Sequence, residues 1–327
     1  MNSQESLTTE KLLVLLEKDK TLNEAQRQAI SQVEGPVWIL AGPGSGKTET
    51  LVLRTLNLLL VHRVPPRGIF LTTFTRKAAR NLLSRLIDYK SQIEGKVSIR
   101  EAERIRDINV MDIYIGTLHS LAWDILREFG QSDLSEKRLM EEIETLFFVY
   151  VHLKKDDIDA VWNGLKHLRN SRSGYVRGWS RINTVLNLMN RIVEDRINPY
   201  RDDYEEEWVK NLIQLYHKYK KTLDRYNRID FAHVQKDFLD FLESSLGRDF
   251  LEGDGSLLRP GIQYVMVDEY QDTNPIQEAI YFKLAARTGN LCVVGDDDQA
   301  IYRFRGGTVA CMLRFPDMAK RKLGKEP

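Results

Sequence analysis

The segment VWILAGPGSGKTETLVLRTLNLLL at residues 37–60 decides the fold of this chain. It contains an apolar run, VWIL, then a loop of small residues, AGPGSGKT at residues 41–48, and then an apolar, helix-like stretch around Leu51 and Leu56. A buried strand, a glycine-rich loop and a helix in this order allow main-chain N–H groups and a helix N-terminus to bind phosphate. The alternative interpretation is a glycine-rich turn between a strand and a helix that binds no ligand.

The loop residues have distinct chemical uses. Small residues let the main-chain N–H groups curl around phosphate oxygens. Lys47 would reach the β- and γ-phosphates of a nucleoside triphosphate, and Thr48 would bind Mg²⁺. Ala41 replaces the glycine that usually opens this pattern, and a methyl group is the smallest departure. The predicted nucleotide-binding residues of the loop are Gly42, Pro43, Gly44, Ser45, Gly46, Lys47, Thr48 and Glu49.

Five short apolar runs predict the strands of one parallel sheet. They are VWILA from Val37, IFLTTF from Ile69, IYIG from Ile113, YVMVD from Tyr264 and LCVVGD from Leu291. Runs rich in Val and Ile that alternate with helical stretches are typical of strands buried on both faces. We therefore predict an α/β fold with a parallel sheet flanked by helices, formed by residues 1–115 and 260–327. Residues 116–259 show mostly helical periodicity and predict an inserted all-helical subdomain.

An acidic pair follows the fourth predicted strand. VDEYQDTN at residues 267–274 places Asp268 and Glu269 at the strand end, and ligands bind beyond the carboxyl ends of parallel strands. Asp268 would hold Mg²⁺, usually through water, and Glu269 would polarise the water that attacks the γ-phosphate. The alternative is an exposed strand end without a ligand.

A polar segment, VGDDDQAIYRFRGG at residues 294–307, ends the fifth predicted strand. Gln299 is placed to sense the γ-phosphate by hydrogen bonding, and Arg305 could meet a phosphate or an acid of the pair. Three successive acids, Asp296 to Asp298, more often cap a turn than bind metal, and we do not assign them as ligands.

The bulk composition narrows the class of protein. Hydrophobic residues make up 42% and charged residues 29% of the 327 residues, which is typical of a globular protein with a buried core. No run reaches the 18 or so apolar residues of a membrane span, and the N-terminal sequence does not resemble a secretory signal. Cys292 and Cys311 lack metal-ligand spacing, so we expect reduced thiols in a cytoplasmic protein without zinc.

Six segments, in order, resemble the motifs of the UvrD/Rep helicases of superfamily 1. They are LNEAQRQAI at 22–30, AGPGSGKT at 41–48, LTTFTRKAAR at 71–80, IGTLHSLAW at 115–123, VDEYQDTN at 267–274 and VGDDDQAIYRFRGG at 294–307. IDFAHV at residues 229–234 also resembles a short signature of the family. The resemblance implies a RecA-like, ATP-binding domain of a motor that moves along single-stranded DNA, 3′ to 5′ in most members, and separates strands.

The resemblance also implies roles for individual residues. Gln26 would contact adenine, and Thr48 and Asp268 would hold Mg²⁺. The implied catalytic residues are Lys47, Asp268, Glu269, Gln299 and Arg305. The implied DNA contacts are Phe74, Arg76, Thr117, His119, Tyr302 and Phe304. Core packing is the alternative for Phe74 and Phe304, and a core or surface role is the alternative for His119.

Three positions depart from the family pattern. Arg76 stands where Asn is usual and suits a contact with the DNA backbone. Leu118 stands where Phe is usual, which weakens stacking on bases at that motif. Glu49 stands where many members carry Arg, so the nucleotide contact of that Arg is in doubt.

A basic stretch lies in the predicted insertion. Residues 160–193 contain no acidic residue, although the whole chain has a formal net charge of only +1. Its cations are Lys166, Arg169, Arg172, Arg177, Arg181 and Arg191, with Tyr175 and Trp179 between them. This pattern predicts contact with the phosphates of duplex DNA ahead of the motor. An ordinary solvated face is the alternative.

The family continues into a second RecA-like domain that supplies arginine fingers to the ATP cleft, and the present sequence lacks that domain. An arginine finger contributes about 10³–10⁵ in rate to related phosphoryl transfers. We therefore expect this chain alone to bind ATP weakly and to show almost no hydrolysis or unwinding. Two alternatives remain: a motor module of a nuclease–helicase or anti-phage effector, and a nucleotide switch, although GTLHS and FRGG argue against a switch.

Overall fold

The computed structural model describes residues 7–16, 22–130, 136–168, 178–201, 203–296 and 309–327. The strands are β1 Val37–Leu40, β2 Ile69–Thr72, β3 Tyr114–Gly116, β4 Arg138–Leu139, β5 Arg228–Ile229, β6 Tyr264–Val267 and β7 Leu291–Gly295. The helices are α1 Thr9–Leu16, α2 Glu24–Ser31, α3 Lys47–Leu56, α4 Arg76–Glu94, α5 Ile99–Arg106, α6 Leu118–Phe129, α7 Glu142–His152, α8 Lys155–Leu168, α9 Gly178–Glu194, α10 Glu207–Arg225, α11 Phe231–Glu243, α12 Ser245–Glu252, α13 Pro275–Ala285, α14 Val309–Leu313 and α15 Phe315–Leu323.

The five predicted strands form one parallel sheet in the order β1-β7-β6-β2-β3, which confirms the predicted α/β fold class. Strands β2, β6 and β7 are buried along their whole length, because they lie inside the sheet and carry apolar side chains on both faces. The two strands that follow the helical insertion, β6 and β7, occupy central positions between β1 and β2. The sheet is therefore complete only when both parts of the chain are folded together.

The chain divides into two compact units. One contains residues 1–121 and 241–327, and the other contains residues 122–240. Residues 116–121 and 241–259, which we assigned to the insertion, lie in the sheet unit. Residues 241–259 join the sheet unit because they include α12. The buried Phe250 of this helix packs edge-on against Tyr114 of β3, with 5.7 Å between the ring centroids.

The sheet unit is built around a core that includes almost the whole of α3. All residues from Thr50 to Leu56 are buried, so this helix is covered on every side. A π-helical turn, Asn57–Val61, continues α3 and adds three buried leucines. The N-terminus of α2 is closed by a capping box between Asn23 and Gln26. Among the described residues, no helix is both long enough and apolar enough to cross a membrane.

The second unit, which we call the helical unit, contains most of α6, helices α7 to α10, most of α11 and a parallel pair, β4 with β5. The sequence analysis did not predict this pair of strands. The segment IDFAHV provides its buried polar centre. The Asp230 carboxylate accepts hydrogen bonds from Tyr219 Oη at 2.6 Å and from the His233 main-chain N–H at 2.8 Å, and its Oδ1 lies 2.8 Å from His233 Nδ1. These bonds satisfy a carboxylate that would be costly to bury alone.

Glu194, at the end of α9, is a partly buried carboxyl group of the helical unit whose pKa is raised towards neutrality. Burial, together with the negative charges of Asp195 and Asp230, raises its pKa from 4.5 to about 7. The folded state therefore binds a proton that the unfolded state releases between these pH values. Linkage then requires the free energy of unfolding to fall as the pH rises through this window.

Glu194→Gln should remove this loss of stability. At about pH 8 we expect the variant to exceed the wild type by on the order of 1 kcal/mol in the free energy of unfolding, and at about pH 4 the two should be equal. Thermal unfolding followed by circular dichroism measures both differences. Asp240→Asn, which changes an exposed carboxylate paired with Lys236, is the matched control. An equal effect of Glu194→Gln at both pH values would contradict the assignment.

Candidate nucleotide-binding site

The predicted site residues follow the carboxyl ends of neighbouring strands. The phosphate loop follows β1, Asp296 follows β7, and Asp268 and Glu269 follow β6. Hydrogen bonds extend the sheet past these ends, because Ala41 N donates to Gly295 O at 3.0 Å and Asp268 N donates to Thr72 O at 2.9 Å. Loops that lie far apart in the sequence therefore meet at one edge of the sheet.

The phosphate loop, residues 41–48, has the backbone conformation that its glycines permit. Gly44 has a φ of 73° and Gly46 a φ of 85°, in the left-handed region where side chains are strained. Ser45 Oγ donates to Gly42 O at 2.6 Å and closes the turn. Gly46 is the N-cap of α3, so the free N–H groups of this helix begin at the loop.

Lys47 brings the loop together with the acidic residues. Its Nζ lies 3.5 Å from Glu269 Oε2 and 3.9 Å from Asp296 Oδ2, and its side chain is only 10% exposed. The phosphate-loop lysine therefore lies at ion-pair distance from Glu269 of the acidic pair. Asp296, which we had not assigned to the site, supplies the second carboxylate.

Gln271 links the ends of β6 and β7. Its Nε2 donates to Glu269 Oε2 at 2.6 Å, and its Oε1 accepts from Asp296 N at 3.0 Å. The side chain is held closely, since a Cβ atom added to Gly295 would lie 2.5 Å from Gln271 Oε1. One buried amide thus fixes the Glu269 carboxylate against the backbone of the neighbouring strand end.

The two members of the acidic pair have different surroundings. Burial and the charge of Glu269 raise the pKa of Asp268 to about 6, and Asp268 Oδ1 accepts a hydrogen bond from Glu269 N at 3.0 Å. Glu269 has a φ of 53°, a left-handed conformation that costs a residue with a side chain about 1–2 kcal/mol. Tyr270, buried against Phe315 with 5.6 Å between ring centroids, anchors the turn that imposes this conformation.

Gln26 lies against the phosphate loop. Its Nε2 donates to Ser45 O at 2.8 Å, while its Oε1 accepts from Asn23 N at 2.9 Å as part of the α2 capping box. A Cβ atom on Gly46 would lie 2.8 Å from Gln26 Nε2, so the contact needs glycine at this position. The residue that we predicted to contact adenine therefore borders the loop.

Glu49 directs its carboxylate towards α4. Oε2 lies 3.0 Å from Arg85 Nη1, and Oε1 accepts from Tyr89 Oη at 2.6 Å. Both oxygens thus have partners on the neighbouring helix, whereas we had included Glu49 among the nucleotide-binding residues. A contact between its carboxylate and a nucleotide would require these bonds to break.

Four of the residues predicted to contact DNA, Phe74, Arg76, Thr117 and His119, lie after β2 and β3. Phe74 is 48% exposed, so it does not pack in the core, and Arg76 is exposed at the start of α4 behind the Thr75 N-cap. Thr117 Oγ1 accepts from Ser120 N at 3.3 Å at the start of α6. Desolvation lowers the pKa of His119 to about 4, which keeps its ring neutral at physiological pH.

Several predicted residues lie outside the described part of the chain. They are Gln299, Tyr302, Phe304 and Arg305 of the sixth motif, and Arg169, Arg172, Tyr175 and Arg177 of the basic stretch. Within the described part of that stretch, Arg181 pairs with Asp159 at 3.2 Å and Arg191 with Asp195 at 2.7 Å. Trp179 is 49% exposed.

The sequence contained signals for the residues that we missed. Asp296 directly follows an apolar strand, as Asp268 does, and the equivalence of these positions could have placed it in the site. Gln271 lies two residues beyond Glu269, and this short spacing could have indicated that it belongs to the same strand end. Arg54 is a single charged residue in the apolar run LVLRTLNLLL, which indicates a buried cation.

The parallel sheet, the glycine loop that leads into α3 and the lysine–carboxylate contact define a RecA-like P-loop domain. The model of the UvrD/REP helicase N-terminal domain family matches residues 22–320. The chain therefore belongs to this family, as the six motifs indicated.

Curated relatives support this membership. The putative ATP-dependent DNA helicase YjcD of Bacillus subtilis is 30% identical over 301 residues, which cover 90% of this chain and 34% of the relative. The ATP-dependent DNA helicase PcrA of Leuconostoc citreum is 30% identical, with 90% and 35% covered. The ATP-dependent DNA helicase Rep of Buchnera aphidicola is 31% identical, with 88% and 37% covered. The chain thus spans about a third of the length of these relatives.

Gly46→Ala should destabilise the loop, whereas Gly42→Ala should not. The first change forces alanine into the left-handed region at about 1–2 kcal/mol and displaces the Gln26 amide. The second adds a methyl group that meets no atom within 4 Å, at a φ outside that region. Urea unfolding of both variants measures the difference. Equal losses of stability in the two variants would contradict the left-handed conformation of Gly46.

Proposed function

We propose that this protein binds ATP with Mg²⁺ at the carboxyl edge of its sheet and forms the ATP-binding part of a DNA helicase. The contact of Lys47 with Glu269 and Asp296 carries the proposal. It joins a phosphate-binding lysine to carboxylates at neighbouring strand ends, the arrangement that phosphoryl transfer from a nucleoside triphosphate requires.

The residues of the site fit Mg–ATP. Gly42 has open space where a side chain would lie, and the N–H groups at the start of α3 provide donors for phosphate oxygens. The Thr48 hydroxyl and the Asp268 carboxylate are the hard oxygen ligands that Mg²⁺ prefers. When bound, Mg²⁺ would neutralise charge on the β- and γ-phosphates.

Other residues of the chain would bind the phosphates and adenine and orient the attacking water. Lys47 would exchange its carboxylate partners for phosphate oxygens, and Gln26 would contact adenine at the rim of the loop. Glu269, held by Gln271, would orient the attacking water and take up its proton at Oε1 or Oε2. Gln299 and Arg305 are proposed, from the family resemblance alone, to link the γ-phosphate to the DNA.

We further propose that single-stranded DNA lies across the ends of β2 and β3. The exposed ring of Phe74 could stack on a base, and exposed Arg76 could contact a phosphate. Thr117 and His119 follow the adjacent strand, while Tyr302 and Phe304 are included on resemblance. The direction of movement, 3′ to 5′, is that of most family members. A contact of residues 160–193 with duplex DNA also stays a proposal.

In this function the chain would form one part of a motor. The relatives named above are described as ATP-dependent DNA helicases, and the chain corresponds to about a third of each of them. We propose that a second RecA-like domain completes the ATP cleft by supplying arginine fingers. Binding experiments are therefore the appropriate tests of this chain.

Lys47→Ala should weaken the binding of a fluorescent ATP analogue in the presence of Mg²⁺. A lost charge-assisted hydrogen bond costs about 1.5–3 kcal/mol, which corresponds to an increase in Kd of about 10- to 100-fold. Lys322→Ala, which removes an exposed lysine of α15, is the control and should leave Kd unchanged. Wild-type affinity in Lys47→Ala would refute the nucleotide site.

Phe74→Ala should weaken binding to an oligo-thymidine single strand by about 1–3 kcal/mol, the range for one stacked base. Fluorescence anisotropy at two salt concentrations measures the affinity, which should fall as salt rises. Phe147→Ala is the matched control, because Phe147 is also exposed, at 58%, but lies in the helical unit. If the two substitutions had the same effect, the proposed DNA path across β2 would be incorrect.

A further inference from the structure

Arg54 is a buried cation in the helix that follows the phosphate loop. It lies in α3, seven residues beyond Lys47, and is only 2% exposed. It is the largest of the fully buried side chains among the described residues. Burying a guanidinium group is costly unless its charge and its N–H groups are compensated, so this residue requires an explanation.

The partners of Arg54 are main-chain carbonyl groups rather than an acid. Nη1 donates to Ala29 O at 2.5 Å and to Gln32 O, and Nη2 donates to Val33 O at 3.4 Å. Among the residues that the structure describes, no carboxylate lies within salt-bridge distance of Arg54. Carbonyl groups in the last turn of α2 and just after it thus accept from both terminal nitrogens of the guanidinium group, whereas its buried Nε has no hydrogen-bond partner among the described residues.

This arrangement is a side-chain cap supplied by another helix. The last carbonyl groups of a helix have no partners within the helix and carry its partial negative charge, so they attract a cation. Arg54 satisfies carbonyl groups at the end of α2, and Asn57 Nδ2 adds a bond to Ile30 O at 3.0 Å. The C-terminal end of α2 is thus attached by two buried side chains, one from α3 and one from the π-helical turn that continues it.

The other end of α2 is attached to the phosphate loop through Gln26 and Ser45. Helix α2 is therefore held at both ends by the same segment, at its start by the loop and about 12 Å further along by Arg54, given a rise of 1.5 Å per residue over eight residues. Helix α2 has only eight residues, so a shift at one end moves the other.

We infer that Arg54 is a positioning residue for recognition of the nucleotide base. By fixing the end of α2, it sets the position of Gln26 relative to the phosphate loop. The inference rests on the proposed function, in which Gln26 contacts adenine. It assigns base selectivity to a residue that touches neither the nucleotide nor the loop.

Arg54→Met tests the inference, because methionine has a similar length but neither the charge nor the N–H groups that bind the carbonyl groups of Ala29, Gln32 and Val33. The substitution should also lower the free energy of unfolding, because these carbonyl groups lose their donor. The measurement is the ratio of Kd for GTP to Kd for ATP, obtained by competition with a fluorescent ATP analogue. The wild type should prefer ATP, and Arg54→Met should lower the ratio by up to about 10-fold, the change in Kd that the loss of one hydrogen bond to the base produces.

The ratio separates positioning from a merely structural role. Thr55→Ala is the control, because Thr55 is also fully buried in α3 but bonds to Leu51 O of its own helix. This control should lower thermal stability and keep the ratio. If Arg54→Met keeps the wild-type ratio, the inference is overturned, whatever happens to stability.

Arg54→Lys provides a second variant if Arg54→Met does not fold. Lysine keeps the charge but lacks the planar fork that reaches several carbonyl groups, so the ratio should lie below that of the wild type. A ratio equal to that of the wild type would overturn the inference. Gln26→Ala identifies failure of the proposed function itself: if this change leaves the ratio unaltered, adenine is not recognised through Gln26, and the role of Arg54 falls with it.

Discussion

The ammonium group of Lys47 lies between the carboxylates of Glu269 and Asp296, and this contact depends on the order of the strands. The lysine follows β1, while the carboxylates follow β6 and β7. Because β7 lies directly beside β1, with β6 next to it, the three side chains meet at one edge of the sheet. A lysine with so little exposure needs counter-charges nearby, so the contact stabilises the same strand order that creates it. The strand order of the sheet therefore also sets the geometry of the site.

The surroundings of Glu269 show how the site is kept in a fixed geometry. Its backbone has a left-handed conformation, its carboxylate is bound by Gln271, and Tyr270 is buried beneath the turn. Such strain persists only where the surrounding packing determines the conformation, and it is often found at functional sites. The bond from Asp296 N to Gln271 Oε1 extends this control to β7, whose end leads into the sixth motif. The side chain of Gln271 therefore joins the ends of β6 and β7 by hydrogen bonds.

The structure has the domain that the family resemblance implied, but some motif residues make contacts that the resemblance did not imply. The helical insertion leaves the sheet after its edge strand, β3, and the chain returns at β6, so the insertion does not interrupt hydrogen bonding between strands. The signature IDFAHV serves the interior of the helical unit, where Asp230 bonds to Tyr219 and His233. Glu49, the departure from the usual arginine, has its partners on α4. A shared motif thus does not ensure a shared contact for each of its residues.

The sequence by itself determined the five strands, the glycine loop, the acidic pair and membership of the family. These features are local, because apolar runs and glycine spacing reflect the preferences of neighbouring residues. The tertiary structure decided the strand order and the limits of the two units. It also decided the contacts of Asp296, Gln271 and Arg54, whose partners are reached through strand pairing or helix packing. Contacts of this kind depend on which distant segments come together, and residue spacing along the chain does not encode them directly.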